Sequence, residues 1–393
     1  MKIIRSILPP TPFLMADSNL TSSDVTETEY SAWAVGTTYG LGNRVQIVSP
    51  TSTVTFNAAA PDKDAVNWTA HGLPNKTPIR FTTTGALPTG LTAGAIYYVF
   101  NPLFVTGTLA NLFNVSKTPG GAIIQFPDPG SGTHTAIATR HDVYESLIAS
   151  NLGNPPALNP TKWGRADSTN RWRMFDSGVS SQTSKVTQIE VEIIAPSIVD
   201  AVALLNINAA SVRVRQTDPS DGVVYDKTIS GVAALGASDF YAYCFDPVVR
   251  RTEMLFTDLK PYANSTLKIT LTDTGNTVLC GACVPGKVLD IGGTSFGMTM
   301  GIDDYSIKQQ DQWGNYTVQE RAFRRWVGGD VWVDNDKVDG LINVLAGYRA
   351  TPVVYIGDES FGASAAMGFY ERFSILVRHP TQSLLAIEIK GLT

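Results

Sequence analysis

Tyr30-Ser31-Ala32-Trp33, continued by Tyr39-Gly40 and Gly42-Asn43-Arg44-Val45, forms half of a pattern that closes only a hundred residues later. The second half is Tyr144-Glu145, then Asn154-Pro155-Pro156 and Asn159-Pro160, then Trp163. Joined, the two halves read as one small aromatic module. Its rings stand between turn residues and a short run, Arg44–Val48, that alternates polar and apolar side chains as a half-buried strand does. Residues 28–49 and 140–168 are therefore expected to pack together, with 50–139 leaving and returning as an insert.

Working outward, the same short alternating or β-branched runs recur. They include 52–57, 78–83, 95–100, 185–194, 211–216, 266–272, 329–334, 351–356, 373–378 and 384–389, with Gly, Pro, Asn or Asp nearby. Helical periodicity is confined to 336–348, with apolar residues at i, i+3, i+4 and i+7 before Gly347. Two shorter stretches are ambiguous: 144–150 as a turn or two of helix, and 198–205 as helix or buried strand. The predicted class is mainly β, as several antiparallel β-sandwich or β-barrel-like domains with one short helix near 336–347. The predicted divisions are an extended arm over 1–27, suited to lying along a neighbouring surface, the split module, the inserted β-domain 50–139, a β-sandwich over 169–289 and a last β-domain over 290–393.

Composition narrows the function. Of 393 residues, 17% are charged, and the net charge of -5 shows no basic face of the kind a nucleic-acid binder presents. Three cysteines are too few, and odd in number, for a disulfide scaffold. Cys280 and Cys283 have redox-pair spacing, but with no second pair and no histidine pair to complete a zinc site they read as reduced, buried strand residues. His71 and His134 bracket the insert and read as strand-edge residues. Asp303-Asp304 read as a turn. No metal, cofactor or catalytic residue is predicted, and no nucleophile elbow, phosphate loop or zinc-protease motif occurs. Prolines 9, 10 and 12 break the apolar start of the chain too early for a signal peptide.

The split aromatic pattern resembles the small chitin- and cellulose-binding modules. The insert, with His71-Gly72-Leu73-Pro74, Leu87-Pro88, Gly90-Leu91, Tyr97-Tyr98-Val99, Gly120-Gly121 and Gly130-Ser131-Gly132, is similar to a recurring module of tailed-phage structural proteins. The C-terminal part, from Met298 through Trp313-Gly314 to Gly391-Leu392, also resembles such proteins. The resemblance implies a structural subunit of a phage tail tip or baseplate, present in the virion after assembly in the host cytoplasm. It would sit in a symmetric homo-oligomer with other tail proteins as neighbours, presenting a carbohydrate-binding-like module to host surface glycans. Neither nucleic-acid binding nor membrane insertion is expected. A dedicated glycan-binding adhesin is the alternative reading, and a polysaccharide depolymerase has least support.

A sugar ring offers an apolar C–H face and a hydroxyl rim, which an exposed aromatic ring and nearby polar groups recognise. Trp33, Tyr39, Tyr144 and Trp163 are the candidates. Two roles compete for them, because a module this small must also bury rings to have a core. Arg321, Arg324, Arg325 and Trp326 form the densest basic–aromatic spot and are the candidate assembly contact, with Asp330, Asp334 and Asp336 as expected local partners.

Overall fold

The computed structural model describes residues 1–7, 15, 17–59, 63–69, 71–103, 111–195, 197–232, 241, 245 and 249–392. Cys244 falls outside them. The chain divides into two units. One comprises Leu8–Ser18 and Thr26–Trp172, the other Met1–Ile7, Asn19–Val25 and Arg173–Thr393.

In the first unit, Arg44–Val48, His141–Ser146 and Trp163–Ser168 form a three-stranded antiparallel sheet with His141–Ser146 central. The register sets Val48 opposite His141 and Arg44 opposite Glu145. Residues 144–146, ambiguous in sequence, are thus strand: Val143 is fully buried and paired on both sides, and this packing overrides local propensity. The chain between the paired ends forms a closed six-stranded barrel. Its strand order is His134–Ala138, Thr51–Asn57, Ala65–Asn67, Leu112–Ser116, Ile96–Leu103, Pro78–Thr83 and back to the first. Closure leaves no free edge. Alternation places Val54, Phe56, Phe81, Val99, Phe113 and Val115 inside. Phe56 meets Phe81 and Phe126 edge-on at 5.3 and 5.2 Å. Each such fully buried side chain is worth roughly 1.5–3 kcal/mol of transfer free energy. Since Thr51 pairs with Ile137 and Val48 with His141, one β-ribbon runs from module to barrel. It is kinked at Ser49, whose φ is +35°.

The second unit is built on Thr266–Asp290, a strand of 25 residues. Its first part pairs with Thr183–Ile194 on one side and Ser211–Asp218 on the other. Its later part pairs with Ala201–Asn208 and Lys2–Ser6. The ambiguous stretch 198–205 is therefore mostly strand. Lys2–Ser6 also pairs with Val353–Ile356, and the sheet continues through Ala365–Val377, Gln382–Gly391 and Phe323–Asp334. Residues expected to form separate domains on either side of 289 thus share one hydrogen-bonded sheet. The start of the chain is likewise a central strand of its own unit rather than an arm laid on a neighbour. Ile3 and Ile4 point to opposite faces and are both fully buried, as a strand covered on both sides requires. The helix Val338–Gly347, entered through a 3-10 turn at Asn335–Lys337, buries Leu341 and Leu345 against Val331, Val333, Leu385 and Ile387.

Cys280 and Cys283 lie fully buried and unbridged in the long strand, burial pushing both thiols well above their ordinary range. Asp303 and Asp304 are strand residues of Thr299–Asp304, not a turn, because both pair across to Phe323–Asp334.

Candidate functional site

The four aromatic candidates do not form a common exposed face. Tyr39, Tyr144 and Trp163 are buried with Val45 as the core of the three-stranded module, Trp163 only 2% exposed. Tyr39 and Trp163 meet edge-to-face at 5.2 Å. Each ring also has its polar tip bonded inside the module. Tyr39 Oη accepts the Ala34 N–H at 2.8 Å, Trp163 Nε1 donates to the Asn154 carbonyl at 2.8 Å, and Tyr144 Oη accepts from Arg140. A module of this size has little else to bury, so the core role wins for these three. Gly42 holds the tight turn at φ +79°.

Trp33 is different. Its backbone N–H donates to the Gln46 carbonyl, and the Gln46 N–H donates to the Ser31 carbonyl. These bonds hold the Trp33 loop alongside the strand Arg44–Val48. The partly buried Trp33 side chain packs against the module core and lines a cleft of about 270 Å³. Apolar atoms of Ile47, Val48, Pro50, Pro155, Pro156 and Ala157 form much of its wall, joined by Gln46, His71 and Arg140. Module and insert both contribute to it.

Three buried polar atoms on residues of this lining have no hydrogen-bond partner among the described residues: Trp33 Nε1, Gln46 Oε1 and His71 Nε2. Gln46 spends its Nε2 on the Glu27 carbonyl at 2.7 Å, which leaves the oxygen unpaired. His71 Nδ1 accepts the Leu73 N–H at 2.9 Å, which places the proton of the neutral ring on Nε2. Burial pushes His71 down to about 4; the Leu112 backbone opposes that shift without reaching hydrogen-bond geometry at Nε2. The ring is therefore an uncharged donor at neutral pH. Arg140 brings no free charge to the cleft. Its guanidinium is spent on Asp142 Oδ2 at 2.8 and 3.0 Å and on the Gly72 carbonyl at 2.8 Å. Burial would push the Asp142 carboxyl up, but Arg140 and Arg165 outweigh it and hold it below its ordinary range. The residues lining the cleft thus carry two buried N–H groups and one buried oxygen without hydrogen-bond partners among the described residues, between apolar walls.

A second polar cluster sits at the kink of the ribbon. His141 is stacked on Trp172 at 4.1 Å, with Nδ1 2.7 Å from Glu27 Oε1 and Nε2 3.0 Å from Asp17 Oδ1. Ser49 Oγ donates to Asp17 at 2.5 Å and lies 3.3 Å from Nε2. Burial works against charge on this ring, yet the two carboxylates outweigh it and raise the imidazole above its ordinary range. Connectivity alone resembles a Ser–His–Glu relay. The Ser49 hydroxyl donates to Asp17, however, and both ring nitrogens face carboxylates, so the arrangement ties the ribbon kink to Asp17 and Glu27. Sequence reading gave no role to these residues, because 92 residues separate Ser49 from His141 and 114 separate Glu27 from His141. Among the described residues no three His, Cys, Asp or Glu side chains are placed to hold a metal ion.

The basic–aromatic candidates lie in the other unit, at the start of Phe323–Asp334. Arg321 is exposed. Arg324 Nε pairs with Asp303 Oδ2 at 2.8 Å, and Arg325 Nη2 with Glu253 Oε1 at 2.6 Å. The expected partners Asp330, Asp334 and Asp336 do not take these roles; Asp334 pairs with Lys337 instead. The cross-strand register decides the first of these, setting Asp303 opposite Arg324. Trp326 lies over Gly301, where any Cβ would approach the indole to 2.7 Å.

No protein-family model matches the chain, and neither does any curated protein.

Proposed function

We propose that the chain is a non-catalytic structural subunit of a bacteriophage tail tip or baseplate. It would dock among other tail proteins in a symmetric assembly through its C-terminal β-structure and present a small site for a neutral host-surface glycan. The tail assignment rests on the likeness of the insert and C-terminal residues to tail modules. The glycan part rests on one observation: one cleft is lined by Trp33, Gln46 and His71, whose buried Nε1, Oε1 and Nε2 atoms have no hydrogen-bond partner among the described residues. Buried polar groups without partners cost about 1–3 kcal/mol each, so a ligand that supplies an acceptor, a donor and an apolar face is favoured there. Saccharides have that combination, and several weak sites in one particle would give useful avidity.

The test is a glycan array on the purified chain, followed by titration of the best ligand. Wild type should bind a neutral saccharide, while Trp33→Ala and Gln46→Leu should each weaken it roughly tenfold, the effect of one well-made hydrogen bond or stacking contact. A blank array, or binding that both variants retain, would overturn the glycan reading. Release of reducing sugar from host polysaccharide would favour a depolymerase, and binding with no incorporation into particles a free adhesin.

A further inference from the structure

A pocket of about 300 Å³ opens in the unit that holds Arg325. That volume is at the small end of those that take ligands. Leu205, Phe323, Met367 and Leu392 line it with apolar surface. Strand pairing gathers them: Leu205 stands opposite Glu253, and the Leu392 N–H donates to the Met367 carbonyl. A buried ion pair stands among these walls, with the Glu253 side chain 8% exposed and that of Arg325 27%. Arg325 Nη2 donates to Glu253 Oε1 at 2.6 Å and to Thr252 Oγ1 at 3.1 Å, and Thr252 Oγ1 donates to Glu253 Oε2 at 2.8 Å. Burial outweighs Arg325 and raises the Glu253 carboxyl above its ordinary range, as expected of a charge held where water is scarce. The closed network uses one nitrogen of the guanidinium. Arg325 Nε and Nη1 have no partner among the described residues, and neither is sealed from solvent. Asn206 Oδ1 is likewise free, the amide nitrogen being spent on the Val179 carbonyl at 2.7 Å. Asn206 holds its place in the lining at φ +50°, a left-handed conformation that few non-glycine residues adopt.

We propose that this pocket binds an uncharged amide carried on an apolar body. Charge selects the class. Glu253 and Arg325 balance inside, and Glu320 and Arg321, the other charged residues of the lining, balance as well. A carboxylate would meet Glu253, and an ammonium would meet Arg325, each bringing an uncompensated charge into a poorly hydrated space. An amide brings none. Its carbonyl accepts from the free N–H groups of Arg325, a charge-assisted bond, and its N–H donates to Asn206 Oδ1 or to the spare lone pairs of Glu253. An aliphatic chain then covers Leu205, Phe323 and Met367. The site is separate from the Trp33 cleft and stands whether or not the glycan reading does.

Three probes with one branched chain and different polar ends read the choice: isocaproamide, isocaproate and isohexylamine. Each is titrated at neutral pH into the full chain, isotope-labelled in its methionine methyl groups. The Met367 methyl, identified by its loss in Met367→Leu, should shift in nuclear magnetic resonance spectra, while Met15 in the other unit should not. The amide should bind with a Kd of roughly 1–10 mM, as suits eight or so non-hydrogen atoms, and the two charged probes at least about tenfold more weakly. No shift of Met367 with any probe up to about 50 mM would overturn the site, and a charged probe binding best would overturn the choice of an amide. Glu253→Gln keeps the shape and removes the charge that opposes Arg325. In that variant isocaproate should become the tightest of the three, and an unchanged order would overturn the electrostatic argument. Small amides and peptide segments share this chemistry, so N-acetylleucinamide is the fourth probe: tighter binding than isocaproamide assigns the pocket to a peptide, weaker binding to a small amide.

Discussion

The split module and the arm made by Thr299–Asp304 with Phe323–Gly328 and the hairpin Ile307–Gln310 with Tyr316–Gln319 are both β-structures rich in aromatic residues, and they use those residues in opposite ways. In the module, three strands and the two-residue pairing of Thr38–Tyr39 with Asn151–Leu152 enclose Tyr39, Tyr144 and Trp163, with each polar tip bonded inside. In the arm, two strands enclose nothing, and Trp313, Tyr316 and Tyr305 face solvent. A third strand makes the difference, because it turns one face of a ribbon into an interior. Aromatic spacing in a sequence therefore does not by itself tell core from contact surface. What tells them apart is whether the chain supplies enough neighbouring strands.

The largest test of this contrast is a pair of alanine substitutions. Trp163→Ala removes a ring that is 2% exposed and leaves Tyr39 facing a cavity, so it should cost about 3–5 kcal/mol. Trp313→Ala removes a ring that is 77% exposed and that no core holds, and should change stability by less than about 0.5 kcal/mol. Denaturant unfolding of both proteins checks it. Equal costs would erase the distinction between core and arm.

Next in size is the clamp at the ribbon kink. The folded His141 is raised above its unfolded value near 6.5, so its contribution is full below about pH 6.5 and is lost as pH rises through the folded value. For Asp17 and Glu27, burial raises the carboxyls, but His141 outweighs it and leaves them lowered. Their contribution is present above their unfolded values and is lost as pH falls through the folded ones. Stability of this unit should therefore be greatest between about pH 4.5 and 6.5. Glu27→Gln should cost roughly 3 kcal/mol there, as expected when one member of a buried charged cluster is removed. Its stability loss on the alkaline side should also be shallower than that of wild type. Unfolding midpoints measured against pH separate the two proteins.

Much of this fold was legible in local pattern. The strand at 78–83 and the helix ending at Gly347 stand where alternation and 3.6-residue periodicity put them, because those signals follow from which face is buried. The pairing of Val48 with His141 was also foreshadowed, since two half-patterns on either side of an insert must close somewhere. Less legible was anything that depends on distant partners. Lys2–Ser6 reads as a loose start because Ile3 and Ile4 gain their burial only from strands nearly 290 and 350 residues away. The cleft was half legible. Trp33 stood out as an aromatic, but Gln46 and His71 are ordinary in sequence and become notable only when Oε1 and Nε2 are left without partners.

The finest test exploits two tryptophans of one module with opposite polar circumstances. Trp163 Nε1 donates to the Asn154 carbonyl, whereas Trp33 Nε1 has no partner among the described residues. Replacing each by phenylalanine keeps an aromatic ring and deletes the N–H. At Trp163 the change strands a buried carbonyl and loses ring volume, so it should cost about 2 kcal/mol or more. At Trp33 it deletes a donor that no described residue satisfies, which offsets much of the lost packing, and the net change should stay under about 1 kcal/mol. The sign of the argument reverses once the cleft is filled. With ligand bound, the Trp33 donor gains an acceptor, so Trp33→Phe should lose more stability in saturating saccharide than without it. The difference in unfolding free energy with and without ligand measures that one hydrogen bond. A difference of zero would mean that the indole N–H faces the ligand no more than it faces the protein.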